Sequence, residues 1–475
     1  MRFHSRLLAA PMVLLLVGCA VNPATGKKEF MLVSESQELA MGKQYDQQLV
    51  AEMGLYNDTA LAGYVQRLGL RLAALSERPQ LPWAFRLVDD PVINAFAVPG
   101  GYIYITRGIM AHMGSEAQLV SVLGHEIGHV TARHTAQQMT QQQLFGLGLA
   151  VGAMFSPEAA GIASTAVGIL FLKFSRDDES QADELGFRYM RGAQYDPREA
   201  ADMFSQLARV SGTSGSRLPE WQSTHPDPEN RREKALARAA TLPEAELSAA
   251  LVRRDEYLQR LDNMVYGPNP RQGYFMESRF LHPDLAFELT FPAAWKHANQ
   301  NTAVLAQNTE KTGFMQLTMT EGAPAEAARA FFAAEGMSGS PASSTINGLP
   351  AAGGVFSAQT EQGVIQGEVQ FIQHRQMTFQ FLGYAAPGSW SAHQSAVRAA
   401  LRSFRPLTDQ RLLAVQPWRM DIVRVDRSQT PAEFVVRYPG PVAADDIALL
   451  NQIDAGGRFM NRNLVKRIVG QPLPQ

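Results

Sequence analysis

His125, Glu126 and His129 fall within Gly124-His125-Glu126-Ile127-Gly128-His129, an H-E-x-x-H pattern. In an α-helix, residues four apart lie one turn apart on the same face. Two neutral imidazoles at that spacing can hold one zinc ion, Zn2+. Glu126 follows the first imidazole and can lean towards a water on the metal. Zinc lowers the pKa of such a water to about 7, and a neighbouring carboxylate can take its proton. The chemistry this implies is hydrolysis of a peptide bond, with Glu126 as general base.

The surrounding residues support a helix. Ser115 and Gln118 have capping-box spacing, and Ala117, Leu119, Val120, Val122, Leu123, Ile127 and Val130 supply apolar faces. Zinc needs a third protein ligand. A histidine placed by the longer H-E-x-x-H-x-x-G-x-x-H pattern is excluded, because Ala132 and Thr135 occupy the glycine and histidine positions. His134 falls well round the helix from His129 and reads as a surface residue. A later acidic helix, Arg176 to Met190, is the natural source of a carboxylate ligand. Glu179 and Asp183 share a face there, and an aspartate one turn from a ligand can accept the spare ring N–H of a ligand histidine. Spacing alone does not choose Glu179 over Asp178 or Glu184.

His125-Glu126-Ile127-Gly128-His129, then Phe174-Ser175-Arg176 with Glu179 and Ala182-Asp183, resembles the HtpX-like and BepA-like family of zinc metalloproteases. The likeness extends to Asn94-Ala95-Phe96-Ala97, Pro99-Gly100-Gly101, Tyr195-Asp196-Pro197 and Ser223-Thr224-His225-Pro226, and so covers roughly residues 20 to 265. It implies that Glu179 is the third zinc ligand and that Asp183 supports the site. It also implies that His225, in a loop, can approach the zinc and block its water position. Arg231, just beyond, could stabilise an oxyanion.

The expected fold is α+β. A mainly helical, zincin-type metalloprotease domain with a small sheet is expected over 34–266, after a tether at 19–33. Tyr102 to Thr106 is strongly β-prone, and an exposed edge there could hold an extended peptide by main-chain hydrogen bonds. The apolar stretch Leu144 to Phe174, broken by Ser156-Pro157-Glu158, reads as a helical hairpin over the site. Tyr266-Gly267-Pro268-Asn269-Pro270 marks a boundary. Residues 274–407 alternate like half-buried strands, with two helices, and predict an α+β domain with an antiparallel sheet. Phe291-Pro292 before Trp295 there resembles PsbP-like domains. The tail, 418–470, resembles a LysM module, which implies peptidoglycan contact. The Gly-Asp usual before its threonine is replaced by Ser428-Gln429.

The N-terminus reads as a targeting segment. Arg2 and Arg6 precede an apolar run, Leu7 to Val17, too short to span a bilayer. Leu16-Val17-Gly18-Cys19 resembles a lipobox, which implies a signal peptide over 1–18, cleavage before Cys19 and lipidation of that residue. Ala20 rather than aspartate after the cysteine points to the outer membrane, facing the periplasm. Cys19 is the single cysteine of 475 residues, so no internal disulfide forms and no cysteine can join the zinc. A net charge of −2 gives no reason to expect a nucleic-acid partner.

The expected function is a lipid-anchored zinc metalloendopeptidase of the bacterial envelope. By family analogy its substrates are misfolded or stalled envelope and outer-membrane proteins. The alternative is a catalytically quiet, chaperone-like or cell-wall-binding lipoprotein with a blocked or structural zinc site.

Overall fold

The computed structural model describes residues 19–141, 174–213, 221, 224–360 and 363–474. The expected signal peptide, most of the expected hairpin and part of the loop before His225 lie outside these residues. The chain divides into two compact units, one of residues 1–267 with 419–469 and one of 268–418 with 470–475. Helices and sheets are mixed, as expected of an α+β protein. No described helix is long and apolar enough to cross a membrane.

The first unit is built around a buried helix. Two helices precede it, α1 (Glu35–Met53) and α2 (Thr59–Ala73). Three short strands follow, β1 (Ala84–Val88), β2 (Ala95–Val98) and β3 (Tyr102–Thr106), in the order β1-β3-β2. β3 is parallel to β1 and antiparallel to β2. β3 is therefore the central strand, which corrects the expectation of a free edge on Tyr102–Thr106. Among the described residues β1 and β2 are the edge strands, and β2 is the edge in contact with the later helix Glu116–Ala132.

Next come α3 (Arg107–His112) and α4 (Glu116–Ala132), which carries the H-E-x-x-H residues. Every side chain of α4 is buried, so it is a core helix enclosed on all sides. Ser115 caps it by accepting from the Gln118 N–H. The Gln118 side chain does not complete the expected box. Its oxygen accepts from the Gly114 N–H, and its amide donates to Glu199 and Gln452. The helix stops at Ala132 because Arg133 takes a left-handed backbone conformation, φ 61°. Buried Glu38 and the Val33 carbonyl hold its guanidinium there.

Then follow α5 (Arg176–Gly192), α6 (Glu199–Thr213) and α7 (Pro228–Ala239). Ser175 and Asp178 form a reciprocal capping box on α5, and the acidic first turn suits the helix dipole. Glu179, Ala182, Leu185, Gly186 and Tyr189 are buried at helical spacing, so one stripe of α5 faces α4.

The tail adds strands Arg419–Arg424 and Leu464–Val469, paired antiparallel, with helices Pro431–Arg437 and Ala444–Leu450 between them. It packs onto the start of α4. The buried Lys466 ammonium donates to the carbonyls of Ala111 and Met113 at the end of α3 and to that of Leu450. Gln452 exchanges amide hydrogen bonds with Gln118 and donates to the His112 carbonyl. A buried acceptor left without a partner costs about 1–3 kcal/mol, so Lys466 fixes this contact strongly.

The second unit holds an antiparallel sheet whose longest strands are Leu349–Thr360, Gly363–His374 and Met377–Ala385. Helix Pro387–Ser403 packs its Trp390, Val397 and Leu401 into a core with Phe287, Phe379 and Phe381. Its histidines 282, 297, 374 and 393 form no metal-binding group among the described residues.

Candidate metal centre

The backbone contact between α4 and α5 sets the site. Gly124 and Gly128 directly precede the two histidines and face α5. A Cβ on Gly128 would lie 2.9 Å from the Ala182 carbonyl oxygen, and one on Gly186 would lie 3.0 Å from the His125 nitrogen. Missing side chains at these three positions let the helices meet closely. That brings the buried stripe of α5 within reach of both imidazoles.

Four groups converge there: His125, His129, Glu179 and His225. Each offers one donor atom, and these atoms all lie within 4.8 Å of one another. His125 Nε2 and His129 Nε2 are 3.0 Å apart. Glu179 Oε1 lies 3.5 Å from His129 Nε2, and Glu179 Oε2 lies 3.5 Å from His125 Nε2. His225, 1% exposed, places Nδ1 2.9 Å from Glu179 Oε1 and 3.3 Å from His125 Nε2. Of the three carboxylates that spacing left open on α5, only Glu179 turns inward. Asp178 caps its own helix and Glu184 is exposed.

Asp183 Oδ1 lies 2.9 Å from His125 Nδ1. An ionised carboxylate only accepts, so Nδ1 carries the proton and Nε2 keeps its lone pair. Arg231 binds Asp183 at 2.7 Å and Glu179 Oε2 at 2.8 Å, with its guanidinium over the rings of Phe204 and Trp221. It is committed to the two carboxylates, which is a different position from that expected of an oxyanion donor.

Electrostatics follow the burial. Desolvation, with Arg231 and His129 nearby, pushes His125 down to about 3, so its ring is neutral. Burial alone would raise Glu179 and Asp183. His225 and Arg231 hold Glu179 well below the usual carboxylate range, and Arg231 and His125 do the same for Asp183. Burial pushes Glu126 up to about 7, with no guanidinium bonded to it.

The donor set fits zinc. Two imidazoles whose Nε2 atoms lie 3.0 Å apart, with an ionised carboxylate beside them, make up its usual kind of ligand set. Both oxygens of Glu126 are buried without a hydrogen-bond partner among the described residues. Such a carboxylate suits a position meant for a reacting water. A cavity of about 290 Å³, lined by Arg176, Glu179, Asp227, Arg231 and Lys234, opens beside the centre.

His134 is where reading the sequence went wrong. It is fully buried, not at the surface, and its Nδ1 lies 2.8 Å from His129 Nδ1. The reason is the helix end. With α4 stopped at Ala132 and Arg133 left-handed, the chain turns back and carries His134 onto the ligand. Burial lowers its ring to about 4. Trp221 was also missed. It is buried and stacked on His225, with centroids 5.1 Å apart.

Residues 59–239, which contain every group described above, match the family model for peptidase family M48. The beta-barrel assembly-enhancing protease of Yersinia pestis is 35% identical over 228 residues, covering 46% of this chain and 47% of that protein. Its Escherichia coli K12 counterpart is 34% identical over the same length and shares. The mitochondrial metalloendopeptidase OMA1 of Arabidopsis thaliana is 35% identical over 174 residues, 36% of this chain and 35% of that one. The chain spans about half the length of the curated relatives it matches. These matches are to metalloproteases of the kind its motifs resembled. Among solved structures, cyanobacterial PsbP matches with a TM-score of 0.24 and 11% identity over 28% of this chain, a likeness that carries no argument.

Proposed function

We propose that this protein is a zinc metalloendopeptidase of the bacterial envelope whose centre rests closed under His225. The observation that carries this reading is Glu126, a buried carboxylate with no hydrogen bond among the described residues and with His225 Nε2 3.8 Å away, beside a cluster of metal donors. His125, His129 and Glu179 would hold the zinc. When bound, the ion supplies Lewis acidity towards a scissile carbonyl and a water. Glu126 removes the proton from the attacking water and returns it to the leaving nitrogen. Asp183 keeps His125 in its binding tautomer.

An extended polypeptide would pair along β2, the edge strand beside α4 that has no strand on its outer side among the described residues. Asn94 Oδ1, at the start of that strand, is buried without a partner among the described residues and can accept a substrate N–H. The segment bearing His225 now covers this end, since the Trp221 N–H donates to the Ile93 carbonyl. Misfolded envelope or outer-membrane proteins are the substrates this would suit; the Yersinia and Escherichia relatives are named as proteases that enhance β-barrel assembly.

His225 decides the resting state. Hydrogen bonds to charged groups contribute about 1.5–3 kcal/mol, so His225→Ala should favour the open site and raise casein cleavage by about 10–100-fold. An unchanged rate with zinc retained would reject the gate. The four-donor arrangement also favours a second reading, a closed structural zinc site in a chaperone-like or cell-wall-binding lipoprotein. That reading expects His225→Ala to lose zinc and to cleave nothing.

The same proposal places the chain on the periplasmic side of the outer membrane through lipidated Cys19, with peptidoglycan contact through the tail. The lipobox-like Leu16-Val17-Gly18-Cys19 supports the anchor. Cys19→Ser should move the protein from the membrane to the soluble periplasmic fraction. Retention in the membrane would remove the anchor from the scheme.

A further inference from the structure

We propose that His134 is a positioning residue for the metal, the middle of a relay His129–His134–Gln181 that selects which ring nitrogen of His129 holds the lone pair. The proposal rests on the zinc reading above.

The geometry is a chain of two hydrogen bonds. His129 Nδ1 and His134 Nδ1 are 2.8 Å apart, and His134 Nε2 is 2.8 Å from Gln181 Oε1. His134 is fully buried. Phe174 stacks on the His129 ring, with centroids 4.0 Å apart. Neutral imidazole has one N–H and one lone pair, so only two proton arrangements satisfy both bonds. In the first, His134 Nε2–H donates to the Gln181 oxygen, His134 Nδ1 accepts from His129 Nδ1–H, and His129 Nε2 keeps its lone pair. In the second, Gln181 presents its amide nitrogen, every bond reverses, and His129 Nε2 carries a proton. Only the first leaves Nε2 able to bind a metal, and Nε2 is the atom that faces His125 Nε2 and Glu179. Gln181, two residues after Glu179, therefore reads out the tautomer of a ligand on the other helix.

The relay completes a symmetry. Both ligand imidazoles of α4 have Nδ1 held by a chain ending on α5. For His125 the chain is direct, through Asp183. For His129 it passes through His134 to the Gln181 amide, with the Asp178 carboxylate 3.7 Å from the same His134 Nε2. Partners of this kind fix ring orientation and raise ligand basicity, and losing one lowers metal affinity by about 10–100-fold.

The test is zinc affinity of the full-length chain in detergent, measured by competition with a chromogenic chelator and paired with thermal melts of the metal-free proteins. His134→Leu should weaken zinc binding by about 10–100-fold. His134→Gln, which restores an acceptor oxygen, should recover most of the loss. A residue that only fills space would lower the melting temperature of the metal-free chain and leave the affinity alone. If His134→Leu does not fold, Gln181→Leu, at a half-exposed position, should still weaken zinc binding. Affinities of the folded variants within about twofold of the parent would overturn the relay. Failure of the parent itself to bind one zinc per chain would instead overturn the metal reading, and the relay with it.

Discussion

Replacing Glu126 with glutamine should leave the chain folded and zinc-loaded while lowering kcat on casein by about 10²–10⁴-fold. The amide keeps the shape of the side chain but cannot take a proton. Glu126 is outside the group of four metal donors, so its loss removes no ligand. Its carboxylate makes no hydrogen bond among the described residues, and its one ion-pair contact, His225 Nε2 at 3.8 Å, is long, so the change orphans no hydrogen-bond partner. The substitution should even stabilise the metal-free protein near neutral pH, for a reason that can be checked by titration. Burial raises the Glu126 carboxyl to about 7 from the ordinary 4.5. Between those values the folded chain holds a proton that the unfolded chain has released, so this group makes stability fall as pH rises. Glu126→Gln removes that slope. Melts of the metal-free parent and variant from pH 4.5 to 7.5 should diverge progressively, the variant becoming the more stable. Undiminished cleavage by the variant would take Glu126 out of the mechanism, and parallel melting curves would reject its raised pKa.

What was legible in the sequence was local chemistry. Helical spacing put His125 and His129 on one face, Ser115 announced the helix start, and the acidic turn of α5 announced a second helix able to supply a carboxylate. What chooses Glu179 over Asp178 and Glu184 is rotation of α5 about its own axis, fixed by Gly124, Gly128 and Gly186 at the contact with α4. The glycine before each histidine carried that signal, visible in the motif yet interpretable only once the second helix is known. His134 was misjudged because the reversal rests on Arg133, a residue type that rarely takes a left-handed conformation, held there by Glu38 and Val33 from a hundred residues upstream. The order of the three strands was hidden for a similar reason. β1 and β3 pair directly although β2 lies between them in sequence, and β-propensity does not state which strand is central. The seat of the tail was least visible, since Lys466 and Gln452 reach partners more than 330 residues away through ordinary hydrogen bonds with no sequence signature.

Glu179→Ala should abolish both zinc binding and cleavage, the second of the two largest effects, and it discriminates among the acidic residues of α5. The Glu179 carboxylate is where every element of the centre meets. Oε1 faces His129 and His225, while Oε2 faces His125 and Arg231. Without it the two imidazoles of α4 would be left with His225 alone, a loop residue whose own hold on the site is partly its contact with Glu179. Two imidazoles on one helical turn are too few protein ligands for a stable zinc site. Arg231 would remain buried with Asp183 as its single carboxylate, so the fold should lose less than the roughly 3–5 kcal/mol of a fully orphaned buried ion pair. The variant is therefore expected to fold, to melt earlier than the parent, and to contain no zinc after dialysis. Asp178→Ala and Glu184→Ala are the controls. The second removes an exposed side chain and should retain one zinc per chain and parent-like cleavage; the first removes half of a helix cap and a carboxylate 3.7 Å from His134 Nε2, and with the Gln181 bond to that nitrogen intact it should still load one zinc. Zinc at parent affinity in folded Glu179→Ala would move the third ligand elsewhere. Loss of zinc in Asp178→Ala as well would mean that the start of α5, rather than one carboxylate on it, holds the metal.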